Sequence, residues 1–93
     1  MSDYNIFKVL SDSQRREILL LLREGRLSAG EISDKIGITP AALSYHLRLL
    51  KGADLVIEYK IKNYVYYEVN TSVFEDLILW AKQFGGKDEK QNR

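Results

Sequence analysis

Apolar residues recur at helical spacing in five segments of this 93-residue chain. Spacing of the type i, i+3, i+4, i+7 is typical of an amphipathic helix, whose apolar stripe faces a core. It predicts helices over residues 4–10, 15–23, 28–36, 41–53 and 71–84. The fourth helix carries the clearest stripe, because Leu43, Leu47 and Leu50 stand at i, i+4 and i+7.

Polar residues with capping chemistry mark the limits of the third and fourth helices. Ser28 and Glu31 have the spacing of a capping box. Gly37 ends the third helix. Thr39 caps the fourth, with Pro40 at its first position, where the missing N–H costs nothing. The two helices are therefore joined by a sharp turn of a few residues.

Two later segments are rich in β-branched and aromatic residues and predict strands over residues 56–61 and 64–69, joined at Lys62 and Asn63. We expect their tyrosines to pack across the hairpin. The predicted fold is mainly α with a small β-hairpin, in the order α-α-α-α-β-β-α, which is a winged helix-turn-helix. It forms one domain over residues 1–86, followed by a polar, disordered tail over 87–93.

This order of elements points to DNA. A helix-turn-helix places its second helix in the major groove, and a hairpin after it reaches the neighbouring backbone. By position, Ser44, Tyr45 and Arg48 are candidates for contacts to base edges or adjacent phosphates. The other candidate DNA contacts lie at the N-terminus of that helix, which favours phosphate, and on the hairpin. They are Thr39, Pro40, Ala41, Lys60, Lys62 and Asn63.

Charge supports this interpretation only locally. The net charge is +1, so the chain lacks the overall basic character of many nucleic-acid-binding proteins. Between positions 35 and 65, however, five basic residues stand against two acidic ones. Such a local excess fits a small DNA-binding domain.

The residue inventory argues against metal and enzyme chemistry. Without cysteine, disulfides and thiolate metal sites are excluded. His46 is the one histidine, so we expect it to pack or contact phosphate rather than bind metal, and we expect no cofactor. No Ser/His/Asp set, paired carboxylates or phosphate-binding glycine loop is visible, so an enzyme is not expected. Arg15 and Arg16 have two equal interpretations: phosphate contact, or pairing and solvation at the surface.

The N-terminus lacks the basic and apolar regions of a signal peptide. The apolar run over residues 18–22 is too short to span a bilayer. We therefore expect a cytoplasmic protein without direct membrane insertion.

Three motifs resemble those of the ArsR-type winged-helix repressors. Residues 10–19 read LSDSQRREIL, similar to the opening motif of the family. Residues 38–50 read ITPAALSYHLRLL, similar to its recognition helix, and residues 65–70 read VYYEVN, similar to its second wing strand. The motifs occur in the family order, and the resemblance covers about residues 4–84. It is closest to short, cysteine-free autorepressors.

The resemblance implies a homodimer held mainly by the first and last helices. Its two recognition helices would enter successive major grooves of an inverted-repeat operator, about 34 Å apart. The apolar residues that this dimer would use are Ile6, Phe7, Leu10, Phe74, Leu77, Ile78, Trp80 and Phe84. The chain departs from the family at the wing tip, where Lys62 stands near the usual glycine, and the wing is less basic than usual.

Two functions from different classes follow. The leading hypothesis is a homodimeric transcriptional repressor that binds a double-stranded DNA operator, with its own promoter as one candidate. The rival is a winged-helix protein-interaction module without specific DNA binding, which a net charge near zero would suit. Release from DNA is open between a small molecule, a sequestering protein partner and a change in protein level.

Overall fold

The computed structural model describes residues 4–85, and within them the chain forms five helices and three strands. The helices are α1 (Ile6–Leu10), α2 (Ser13–Leu22), α3 (Ala29–Ile36), α4 (Pro40–Gly52) and α5 (Thr71–Lys82). The strands are β1 (Leu27–Ser28), β2 (Val56–Ile61) and β3 (Tyr64–Val69). The predicted winged helix-turn-helix is confirmed. Gly86 and the predicted tail, 87–93, lie outside the described residues.

Side-chain caps set the start of the central helices, as predicted for α3 and α4. Asp12 accepts hydrogen bonds from the backbone N–H groups of Gln14 and Arg15, at 2.8 and 3.2 Å, and begins α2. Ser28 and Glu31 form both bonds of the capping box at the start of α3. Thr39 accepts from the N–H of Ala42 at 3.1 Å and begins α4. These bonds satisfy N–H groups that the helices themselves leave unpaired.

The turn between α3 and α4 is held by its own backbone. Gly37 adopts φ 80°, the left-handed conformation that glycine takes at low cost. The hydroxyl of Ser33 donates to the carbonyl of Ile38 at 2.6 Å. The turn is therefore tied to α3, and the angle between the two helices is fixed.

The core lies where α2, α3, α4 and the start of β2 meet. The predicted stripe of α4 is buried, and its members pack with side chains from the other three elements. The most deeply buried side chains are Ile18, Ile32, Leu43, Leu50 and Leu55. Burial of each side chain of this kind contributes roughly 1.5–3 kcal/mol to folding. Within the described residues, α5 has no buried side chain, and its apolar residues pack only at the edge of the core.

The sheet has one strand more than predicted. Its order is β1-β3-β2, and all neighbouring strands are antiparallel. The strand that was not predicted, β1, consists of two residues: Leu27 pairs with Tyr67, and Ser28 pairs with Tyr66. Because Ser28 also caps α3, β1 joins the middle of the wing, the β2–β3 hairpin, directly to the helix-turn-helix.

The wing turns at Lys62 and Asn63, between the paired residues Ile61 and Tyr64, as predicted. Lys62 takes the left-handed conformation, with φ 57°. This conformation is unfavourable for a residue with a Cβ and is tolerated better by asparagine or glycine. The turn thus places a strained lysine at the tip of the wing.

Arg15 and Arg16 connect α1 to α2. The Nε of Arg15 donates to the carbonyl of Val9 at 2.6 Å, and a guanidinium nitrogen of Arg16 donates to the carbonyl of Leu10 at 2.8 Å. Arg15 is only 8 % exposed, so both interpretations from sequence, phosphate contact and surface pairing, are wrong for it. Its role is structural. Arg16 is exposed.

Arg15 also reaches the inner side of α4. Its guanidinium lies 3.2 Å from Nδ1 of His46, and Nε2 of His46 lies 3.0 Å from Oε1 of Gln14. Since a guanidinium only donates, this network assigns Nδ1 as acceptor and places the imidazole proton on Nε2, which donates to Gln14. His46 is 6 % exposed and therefore locks α4 onto α2 through polar bonds inside the core.

Replacing His46 tests this lock. His46→Leu fills the same space in the core with an apolar side chain but leaves the buried guanidinium of Arg15 without one acceptor. We expect the free energy of unfolding to fall by about 1–3 kcal/mol, measured by urea denaturation. Ser44→Ala, on the exposed side of the same helix, serves as the control and should change it by less than about 0.5 kcal/mol. Equal stability of the His46→Leu and wild-type proteins would show that the network carries no net stabilisation.

Candidate nucleic-acid interface

The outer side of α4 presents three polar side chains in a row. Ser44, Tyr45 and Arg48 are exposed, whereas the opposite side of the helix is buried. The guanidinium carbon of Arg48 lies 5.3 Å from the centre of the Tyr45 ring, a cation–π contact. Tyr45, half exposed, in turn rests against His46, with ring centres 5.6 Å apart. The guanidinium of Arg48 is thus supported by the Tyr45 ring on the exposed side of α4.

The N-terminus of α4 lies at the same surface. Thr39, Pro40 and Ala41 are all exposed there. The first N–H groups of a helix lack intrahelical acceptors, and the helix dipole makes this end positive. An anionic group such as a phosphate is favoured at this position.

The tip of the wing supplies a second group of candidates. Lys60, Lys62 and Asn63 are exposed there. Side chains alternate along a strand, so Lys60 shares a sheet side with Glu58 and with Tyr67 of the paired strand. That side meets α4, because Tyr67 and Ser44 line one shallow cleft of about 200 Å³. All nine predicted residues are therefore exposed, in two groups: one on α4 and one at the wing tip.

Two residues that the sequence reasoning missed join these groups. Glu58 pairs with Lys51 of α4 through one carboxylate oxygen and accepts a hydrogen bond from the Tyr67 hydroxyl at 3.0 Å through the other. The Lys51 bond lowers the pKa of Glu58 more than burial raises it, and the Tyr67 bond adds to the lowering. Burial, followed by the bond to Glu58, raises the pKa of Tyr67 to about 12. Strand alternation carried the signal, since Glu58 follows the buried Val56 by two positions.

This network changes the role expected for Lys51. Its charge is already partnered by a carboxylate between α4 and β2. The available positive charge of the interface therefore resides on Arg48, Lys60 and Lys62.

The described part of the chain offers little to a metal ion. Within residues 4–85, no group of three or more histidine, cysteine, aspartate or glutamate side chains could hold one. Both ring nitrogens of His46 are engaged by Arg15 and Gln14. In the same span, no helix combines the length and apolar character needed to cross a membrane.

The apolar residues predicted for a dimer divide into two sets. Ile6, Leu10, Phe74 and Leu77 are half-buried, and the first three pack against the core. The others are exposed, together with Leu79, which the sequence reasoning missed. The exposed set, called here the α1–α5 patch, consists of Phe7, Ile78, Leu79, Trp80 and Phe84.

The aromatic rings of the α1–α5 patch contact one another in tilted and edge-to-face arrangements. The Trp80 ring centre lies 5.1 Å from that of Phe7 and 5.1 Å from that of Phe84. Phe84 is 74 % exposed and Trp80 48 %, although both are large apolar side chains. An apolar groove of about 760 Å³ between α2 and the start of α5 adjoins this region and is lined by Leu10, Leu20 and Phe74 among others. Exposed apolar surface of this kind marks an interaction site.

Comparison with known proteins identifies the family of this chain. Residues 12–58 match the family described as "Bacterial regulatory protein, arsR family". The transcriptional repressor SdpR of Bacillus subtilis (strain 168) is 38 % identical over 85 residues, which are 91 % of this chain and 94 % of that protein.

Solved structures agree in fold. An ArsR-like transcriptional regulator from Rhodococcus sp. RHA1 matches with a TM-score of 0.79 and 25 % identity, over 86 % of this chain and 76 % of that one. A homodimeric winged helix-turn-helix DNA-binding domain from Mycobacterium bovis matches with a TM-score of 0.69 over 94 % of this chain and 83 % of that one. At 21 % identity, this second likeness concerns the fold alone.

The matched segment contains α2, α3, the turn and α4, which are the elements that carry Ser44, Tyr45 and Arg48. Its fold and its relatives are those of transcriptional regulators and not of enzymes. The chain belongs to the arsR family of bacterial regulatory proteins and is a DNA-binding transcriptional regulator with a winged helix-turn-helix fold.

Proposed function

We propose that this protein is a transcriptional repressor that binds an inverted-repeat operator as a homodimer in the cytoplasm. The observation that carries the proposal is the division of α4 into a buried side and an exposed Ser44–Tyr45–Arg48 side, next to a basic wing tip. Repression is favoured because SdpR, which is 38 % identical over 91 % of this chain and 94 % of its own length, is a transcriptional repressor. Occupation of an operator would block RNA polymerase.

Each group of the interface has its own task in this proposal. Arg48 reads a base edge, since a guanidinium forms a bidentate pair with guanine. Ser44 and Tyr45 contact bases or adjacent phosphates, and Ala41 lies at the N-terminal end of α4, which faces the DNA. Thr39, Pro40 and the wing residues Lys60, Lys62 and Asn63 hold the phosphate backbone and set the register.

The homodimer rests on the α1–α5 patch. Its contacting aromatic rings, Phe7, Trp80 and Phe84, lie on α1, on α5 and just after α5. Within the described residues, α5 has no buried side chain. A second copy would bury these side chains together with Ile6, Leu10, Phe74 and Leu77 at the edge of the core. The Mycobacterium bovis domain of the same fold is homodimeric, which supports a dimer here. Dimerisation would place two α4 helices in successive major grooves.

The promoter of the protein's own gene is the first operator to examine, as expected for an autorepressor. Three routes to release stay open: a small molecule, a protein partner that sequesters the dimer, and a fall in protein level. Both ring nitrogens of His46 are engaged by Arg15 and Gln14, so we do not expect His46 to bind a releasing metal ion.

The contrast between Arg48→Ala and Lys62→Ala tests the assigned tasks. Loss of a base contact should weaken binding to the operator by about 1–3 kcal/mol while leaving scrambled DNA nearly unaffected. Loss of a phosphate contact should weaken both duplexes alike and reduce the salt slope of binding by about 1. Fluorescence anisotropy measures both effects, with a labelled duplex from the promoter of the protein's own gene and with its scrambled counterpart. An Arg48→Ala protein with full affinity and selectivity would contradict the base-reading role.

Removing the carboxylate beside Lys51 should strengthen DNA binding. Glu58→Gln releases Lys51 and deletes a negative charge at the interface, so affinity for any duplex should rise and the salt slope should steepen by up to about 1. Glu75→Gln, the same charge change on α5, is the matched control and should have little effect. Weaker or unchanged binding by Glu58→Gln would show that the pair serves only to hold β2 on α4.

A charge within the α1–α5 patch should prevent dimerisation. Ile78→Glu places a carboxylate where the partner would pack, and Ile57→Glu makes the same change at an exposed apolar position on the wing. Analytical ultracentrifugation should find a monomer for Ile78→Glu and a dimer for Ile57→Glu and the wild type. Trp80 is the only tryptophan, so its emission gives a second measure of burial. A dimeric Ile78→Glu protein would place the interface elsewhere.

A further inference from the structure

Arg26 lies on the side of the wing that faces away from α4. It stands immediately before β1, in the linker that follows α2. One guanidinium nitrogen donates to the Tyr59 hydroxyl at 3.2 Å. Its guanidinium carbon lies 5.7 Å from the centre of the Tyr59 ring and 5.6 Å from that of Tyr66. A single side chain therefore contacts both strands of the hairpin.

The two tyrosines form one layer on that side. Tyr59 of β2 and Tyr66 of β3 are cross-strand partners, with ring centres 6.5 Å apart. The Tyr59 hydroxyl accepts from Arg26 and donates to Glu68 at 3.0 Å, so its hydrogen bonds agree in direction. Arg26 closes this layer through charge-assisted and cation–π contacts.

The wing is consequently held on both of its sides. On the side towards α4, Glu58 binds Lys51 and accepts a hydrogen bond from the Tyr67 hydroxyl. On the other side, Arg26 binds Tyr59 and Tyr66. Midway along the hairpin, opposite Glu58 and Tyr59, the two residues of β1 pair with β3. From there to the tip the wing is a two-stranded ribbon, and such ribbons twist more than wider sheets.

Tilt at Tyr59 displaces the tip. Lys62 follows Tyr59 by three residues, which corresponds to about 10 Å of extended strand. A small rotation at the tyrosine layer therefore moves the Lys62 ammonium by a fraction of that length. This shift is enough to break a phosphate contact, because hydrogen-bond geometry is tight.

We propose that Arg26 is a positioning residue for DNA binding: it orients the wing so that Lys62 meets the backbone, without contacting DNA itself. The proposal rests on the DNA-binding function proposed above. It assigns a purpose to an arginine that lies outside both α4 and the wing, and that the sequence motifs did not single out.

A double-mutant cycle tests it. Arg26→Met keeps the length of the side chain but removes its charge, and Lys62→Met does the same at the tip. Alone, Arg26→Met should weaken operator binding about twofold to tenfold. In the Lys62→Met background it should weaken binding little further, because the contact that it orients is already lost. Salt slopes should follow the same pattern.

Three controls separate the alternatives. Arg23→Met removes the same charge from an exposed arginine that pairs only loosely with Glu24, at 3.9 Å, and should leave affinity nearly unchanged. Tyr59→Phe keeps the ring but removes the hydroxyl, and should reproduce part of the Arg26→Met loss in the same coupled manner. Urea denaturation confirms that each variant is folded at the temperature of the binding experiment.

The other outcomes overturn the proposal. Additive losses in the cycle would mean that Arg26 contacts phosphate directly. Equal losses from Arg26→Met and Arg23→Met would mean that only overall charge matters, and no loss would mean that the wing needs no such support. Failure of the wild-type protein to bind any duplex selectively would instead contradict the proposed function, before Arg26 is considered.

Discussion

Everything that this protein presents to DNA depends on the burial of one side of α4. Leu43, Leu47 and Leu50 fix the helix in the core, and His46 adds polar bonds to Arg15 and Gln14 of α2. A helix held so firmly on one side has a fixed rotation about its axis. Because of that rotation, the remaining positions, among them Tyr45 and Arg48, face outwards in a constant arrangement.

The polar lock adds direction to the apolar packing. Leucines alone tolerate rotation and sliding with modest loss, whereas the hydrogen bonds of His46 demand one register. Since Arg15 also holds the end of α1, the element proposed for dimerisation is tied through a single guanidinium to α4, the helix proposed to read DNA. Dimer geometry and the placement of α4 are thereby connected inside each chain.

Charge shows why a net value near zero is compatible with DNA binding. Some acidic side chains already have partners within the chain: Glu58 pairs with Lys51, and Glu68 accepts a hydrogen bond from Tyr59. The exposed basic residues proposed to meet DNA are Arg48 on α4 and Lys60 and Lys62 at the wing tip. Local placement, rather than the total, sets the field that a phosphate backbone meets.

Local signals made much of this fold predictable. Caps at Ser28 and Thr39, the apolar stripe of α4 and the β-branched strands each act within a few residues, so the sequence displays them directly. The predicted boundaries differ mainly at the ends, where α2 begins at Ser13 rather than at residue 15 and α5 ends at Lys82 rather than at residue 84.

The features that escaped prediction depend on distant partners. Strand β1 is two residues long and exists through its pairing with β3, so no periodicity marks it. The contact between Arg15 and His46 joins positions 31 residues apart. The exposed side of α4 could be predicted because the helix stripe defines it, whereas the Glu58–Tyr67 and Arg26–Tyr59 contacts required the hairpin register and the path of the linker.

Selection of bound sequences from random duplex DNA by the wild-type protein tests whether the dimer recognises an operator. We expect enrichment of an inverted repeat whose half-sites are centred about 10 base pairs apart, bound by two chains, with affinity that falls steeply as salt rises. Failure to enrich any sequence, with weak and equal binding to all duplexes, would contradict this expectation and favour a role in protein contacts.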